Sequence, residues 1–135
     1  MSHPLVLPML LQMVLAVFIL FWLAYGRVTT IKKLGGVKAL RDAGGFNKKL
    51  INRSDNFTNQ FELPVVFYAL CLLFIIAGPV SGAVVAAAWV FVISRIIHTF
   101  IQTTNNVIFP NRFFVFLIGA LSLITMLVIA ITKAL

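Results

Sequence analysis

Charge and cysteine are scarce in this 135-residue chain, and each scarcity excludes something. Charged residues make up 10% of it against 61% hydrophobic. No soluble domain of this size buries so much apolar surface, so lipid has to cover it. The single cysteine, Cys71, excludes an internal disulfide framework. It falls inside an apolar run and reads as a small packing residue. Two histidines, His3 and His98, and three acids leave no metal constellation, because His98 and Glu62 would supply only two ligands and His3 belongs to the far end of the first run. No Ser/His/Asp or Cys/His set is spaced for nucleophilic catalysis. Repeats, low-complexity tracts and domain linkers are also missing.

What remains is apolar and long. Four runs stand out, at 5–25, 61–78, 83–104 and 113–132, and a spanning helix needs about 20 such residues. The fold class that follows is all-α, an integral membrane bundle of four helices at about 5–26, 57–78, 83–104 and 112–133, forming one domain over 1–135. The first run is a retained helix and not a signal peptide, since no basic residue precedes it and it is too long for an h-region.

The formal charge of +8 is unevenly placed. Eight of the eleven basic residues, Arg27, Lys32, Lys33, Lys38, Arg41, Lys48, Lys49 and Arg53, fall at 27–55. The turn at 78–82 carries none. The positive-inside rule therefore predicts a cytoplasmic first loop, with the turn containing Asn105 and Asn106 on the same side and both termini outside. Topology already accounts for these charges, so nucleic acid is not the expected partner. Anionic lipid headgroups fit better. Glycine pairs at Gly35-Gly36 and Gly44-Gly45 mark turns and match no phosphate-binding motif. The two Asn-x-Ser/Thr matches at Asn52 and Asn56 sit on the cytoplasmic side, where glycosylation does not occur.

Against this background the polar residues inside the runs are informative. An ionisable group in a spanning helix costs about 2.5–3.5 kcal/mol on the lenient insertion scale, so it faces a bundle interior or a wet cavity. Asn59 and Glu62 are three apart and share a helix face. Arg95, His98 and Gln102 follow at i, i+3 and i+7, one stripe over two turns. Arg112 opens the fourth helix. The antiparallel packing of the second and third helices predicts one pocket lined by these groups, with Glu62 and Arg95 in direct or near contact and Arg112 at its mouth. Such a set suits a ligand with carboxylates and an amine. A simple Glu–Arg neutralising pair and a proton-transport path are the competing readings. Confinement of the polar groups to one half makes a poor through-path. Gly119, Ser122 and Thr125 make a small-residue stripe for helix packing.

These residues resemble the MAPEG family, the membrane-associated proteins in eicosanoid and glutathione metabolism that include the microsomal glutathione transferases. Asn59-Gln60-Phe61-Glu62 before Pro64 resembles the family's Asn-x-x-Glu segment. Arg95-Ile96-Ile97-His98-Thr99 resembles its Arg-x-x-His-Thr segment, and Pro110-Asn111-Arg112 the opening of its fourth helix. The resemblance implies a homotrimer in a bacterial inner membrane or endoplasmic-reticulum-type membrane. It implies glutathione as co-substrate, held between subunits by Asn59, Glu62, Arg95, His98 and Gln102, with Arg53 replacing an arginine that the family carries nearby. Arg112 would be the catalytic residue, stabilising the thiolate. The second substrate would be a lipophilic electrophile or hydroperoxide arriving from the bilayer. This chain departs from the pattern in Gln102, where several members have tyrosine, and in Asp55 and Thr58, where an arginine is expected. Phe113 in place of a serine argues against a prostaglandin isomerase. A non-catalytic lipid-binding or scaffold member is the alternative that the resemblance leaves open.

Overall fold

The computed structural model describes residues 3–104 and 108–135; the expected turn residues Asn105 and Asn106 lie outside them. Among the described residues every regular element is helical. The first helix, α1 (Val6–Leu34), has 29 residues and is about 43 Å long at 1.5 Å per residue. That exceeds a bilayer core of about 30 Å, so one end must protrude. It stops at Gly35, whose φ of 87° is the left-handed conformation that ends helices. Gly36 N–H donates to Ile31 O at 3.0 Å across the same turn, and Lys32 and Lys33 sit where the helix dipole favours cations.

The segment expected as one long loop over 27–55 is largely helical. α1 continues into it, α2 (Val37–Asp42) makes a short helix, and α3 (Lys48–Asn59) begins at Asn47, whose side-chain oxygen accepts from Leu50 N–H at 3.0 Å. A side-chain cap satisfies one of the orphaned amides of a first turn.

The second span is also not the single helix expected over 57–78. α3 ends at Asn59 and α4 (Leu63–Ala77) starts after three intervening residues. Pro64 is the cause. In a continuous helix it would withhold its N–H from the Gln60 carbonyl and its ring would clash there. The chain instead closes two tight turns, Gln60 N–H to Phe57 O at 3.0 Å and Phe61 N–H to Thr58 O at 2.9 Å, and Pro64 falls in the first turn of a new helix. The two pieces still read as one 30-residue span, Lys48–Ala77.

α5 (Gly82–Thr104) returns, and a π-helical turn (Ile108–Arg112) leads into α6 (Phe113–Ala134). Among the described residues four helical spans are long and apolar enough to cross a membrane. Their outer faces carry Phe18, Phe21, Ile76 and Phe100, each more than half exposed. Such a surface is stable only in lipid, and the chain is an integral membrane protein.

Inside, α4, α5 and α6 share the core. Phe67 stacks on Phe91 at 4.6 Å between centroids, and Phe74, Val84 and Met126 complete the buried layer. Cys71 is fully buried among them. α6 closes on α5 through Gly119, where an added Cβ would lie 2.5 Å from Ser94 Oγ. Ser94 is itself fixed by donating to Phe91 O at 2.6 Å. Gly119→Val is therefore expected to cost about 1–3 kcal/mol by overpacking, seen as a lower melting temperature in detergent. Ser94→Gly in the same chain should recover most of it. No recovery would mean that the contact does not limit α5–α6 approach.

Candidate functional site

The break at 60–62 creates a need for polar partners. The two turns supply donors to Phe57 O and Thr58 O, but the Asn59 carbonyl receives no backbone donor among the described residues, and in an apolar surrounding it must find one. Arg95 meets this need. It is 2% exposed, and its Nη2 donates to Asn59 O at 3.1 Å. A cation there also lies at the negative end of the α3 dipole. Direct contact of Glu62 and Arg95 is not formed, since among the described residues no carboxylate oxygen comes within 4 Å of the guanidinium, but Glu62 is near enough to act on it electrostatically. Glu62 stands at the start of α4 with its side chain exposed on the single chain. The arginine is consumed by the backbone end that Pro64 produces.

Beside this cap lies a layer of buried amides. Gln102 Oε1 accepts from Asn56 Nδ2 at 2.9 Å and from Asn59 Nδ2 at 3.0 Å. Asn56 Oδ1 accepts from Thr99 Oγ1 and from Gln60 Nε2, each at 3.2 Å. Gln60 Oε1 accepts from Gln12 Nε2 of α1 at 2.9 Å. The polar stripe of α5 thus meets that of α3, and α1 joins through one residue. Every bond here replaces a donor or acceptor that would otherwise be stranded away from water, at about 1–3 kcal/mol each.

Gln102 has a consequence for the site. By holding Asn59 Nδ2 it fixes that amide's orientation and leaves Oδ1 unbonded among the described residues. Asn59 lines a cavity of about 240 Å³ together with His98, Arg112, Phe113 and Phe116. Arg112 Nε donates to His98 Nε2 at 3.4 Å. A ring nitrogen that accepts belongs to a neutral imidazole, so the proton sits on Nδ1. That buried Nδ1 has no hydrogen-bond partner among the described residues. The Phe116 ring lies 6.2 Å from the imidazole, and with Phe113 it forms the apolar wall.

Of the residues expected from sequence, Asn59, His98 and Arg112 converge on one cavity. Arg95 and Gln102 stand behind it as supports. Glu62 does not line it, and Arg53 is elsewhere, stacked on Trp22 between α1 and α3. Sequence reasoning missed Asn56, Gln60, Thr99 and Gln12. Gln12 carried a signal, being a strongly polar residue in the middle of an apolar run. Phe113 and Phe116 carried none, since they look like any lipid-facing aromatics.

The chain can now be set beside known proteins. The MAPEG family model matches residues 5–132, nearly the whole length. No curated protein and no solved structure matches it.

Proposed function

Because the chain belongs to the MAPEG family, we propose that it is a membrane-bound glutathione transferase acting on lipophilic electrophiles. The observation that carries this reading is the mixed character of one cavity. Asn59 Oδ1 offers an acceptor, the His98 ring lies on the same lining, Arg112 brings a positive charge, and Phe113 and Phe116 form an apolar wall. A peptide with amides and carboxylates uses the Asn59 and His98 side, a thiolate uses the charge of Arg112, and an oily partner uses the apolar wall. The reaction follows from these roles. Arg112 stabilises sulfur as thiolate, with the thiol proton lost to water. The sulfur lone pair attacks the electrophilic carbon, a C–S bond forms, and the leaving group departs with its bonding pair.

At about 240 Å³ the cavity is below the usual range of about 300–1,000 Å³ for a small-molecule site. That size supports completion of the site by a neighbouring subunit, as in the homotrimer that the family implies. Glu62, exposed on the single chain, then becomes a group that one subunit offers to glutathione at the next. The positive-inside rule supports a cytoplasmic basic end of α1, and with it a cytoplasmic α3 and cavity. Glutathione would arrive from that side and the electrophile from the bilayer.

Turnover tests the reading. In detergent or vesicles the protein should accelerate conjugation of glutathione to a hydrophobic aryl halide, with thioether formed and halide released in equal amounts. A rate equal to the protein-free control would leave the non-catalytic, lipid-binding alternative.

A further inference from the structure

Away from the cavity, α1 and α3 cross where α1 has a notch. At Gly26 an added Cβ would lie 2.5 Å from Leu50 Cδ1 and 3.0 Å from Arg53 Nη1. The missing side chain lets Arg53 lie over α1, its guanidinium carbon 3.9 Å from the centre of the Trp22 ring. On the next turn Arg27 reaches the other way, its Nη2 donating to Ser54 Oγ at 3.0 Å. Each arginine thus packs against the neighbour of the other. No carboxylate joins them within 4 Å. None of the Arg53 donors has a hydrogen-bond partner among the described residues, and its Nε is buried. Two guanidinium groups thus stand at one helix crossing, Arg53 over Trp22 and Arg27 5.8 Å from the centre of the Phe46 ring, and a partly apolar setting favours an anion as the partner for their spare donors.

The level of this pair in the membrane identifies the anion's class. Trp22 and Tyr25 are the last aromatics of the α1 apolar run, the kind of residue that sits at a membrane–water boundary. Tyr25 is 71% exposed. Towards the bilayer Phe18 packs near Trp22, with centroids 5.9 Å apart, and Phe21 is 68% exposed beside it. Immediately beyond the aromatics come Gly26 and Arg27. A ligand that fits has an anionic group at headgroup depth and a hydrocarbon chain below it.

We propose that the α1–α3 crossing, with Arg53 over Trp22 and Arg27 beside Ser54, is a binding site for the phosphate of an anionic phospholipid, with its acyl chain along Phe18 and Phe21. Two guanidinium groups without a carboxylate favour a headgroup of net negative charge over a zwitterionic one, in which a cation offsets the phosphate. The site does not depend on the glutathione reading and gives Arg53 a ligand other than the tripeptide.

Trp22 is its own reporter. The chain has two tryptophans, and Trp89 lies beside His3 and Leu10 at the other end of α1, so Trp89→Phe leaves one signal. The full chain carrying that change is placed in phosphatidylcholine vesicles doped with brominated phosphatidylglycerol or brominated phosphatidylcholine. Brominated phosphatidylglycerol should quench Trp22 at a lower mole fraction, by about five-fold for each arginine engaged. Arg53→Gln and Arg27→Gln should each remove one such factor, and Arg53→Lys should restore part of it. Equal quenching by the two lipids in the parent protein would overturn the proposal without recourse to any variant. So would an arginine-dependent change in Trp22 emission on adding inorganic phosphate or glutathione in neutral detergent, unaccompanied by a lipid preference. That result would assign the pair to a soluble anion.

Discussion

Replacing Arg112 by glutamine should cut the thiolate fraction of bound glutathione tenfold or more, while the binding affinity falls far less. The reasoning is electrostatic. A full positive charge close to an ionising group shifts its equilibrium by about one to three decades, and the effect grows where water is excluded. Arg112 sits at the cavity with Nε committed to His98 Nε2, so its orientation is set before any ligand arrives. Asn59, which under this proposal holds the peptide, is fixed by Gln102 and not by Arg112. The affinity and the sulfur chemistry should therefore separate. Absorbance of the bound thiolate at neutral pH reads one, and calorimetry reads the other. Arg112→Lys should recover part of the thiolate signal, because it restores the charge without the fixed fork. Loss of binding in parallel with the thiolate would instead make Arg112 an anchor for a glutathione carboxylate.

Gln102→Leu should be the most damaging single change in the polar layer. The carbonyl of Gln102 serves two amides, Asn56 and Asn59, at 2.9 and 3.0 Å. Leucine is close in volume and strands both. A buried donor left without a partner costs about 1–3 kcal/mol, so the loss is about 2–6 kcal/mol if neither amide finds another acceptor. Asn59 is only half-buried, which places the expected value in the lower half of that range. The melting temperature in detergent should fall, and glutathione affinity should fall with it, since Asn59 is then free to turn. Gln102→Glu keeps the acceptor and should restore both. An unchanged melting temperature in Gln102→Leu would show that water reaches the layer and satisfies the amides.

The sequence made some of this legible and hid the rest for identifiable reasons. Four spans follow from run length alone, and the family follows from three short motifs in the right order. The i, i+3, i+7 spacing put Arg95, His98 and Gln102 on one face of α5, and that face is buried. The partner of Arg95 was not legible. Charge logic offers Glu62, but a broken helix presents a bare carbonyl at Asn59 that lies nearer and is fixed in direction. Recognising that required taking Pro64 as a helix stop inside an apolar run, where lipid-facing hydrophobicity masks the boundary. The helical character of 27–55 was hidden differently. Its lysines and glycines read as loop, yet α1 overruns the bilayer and α3 is held by its Asn47 cap. Arg53 misleads because the direction of a side chain around a helix depends on where that helix starts. Counted from Asn47, Arg53 faces α1 and Asn56 faces α5.

The central claim is that a cavity built on the broken second span recognises glutathione. Calorimetric titration of the purified protein with glutathione addresses it most directly. The account expects a saturating heat in the low millimolar range or below, sharply weakened by Asn59→Leu and by His98→Leu. A featureless titration through several millimolar, from protein that is folded and fully assembled, would contradict it.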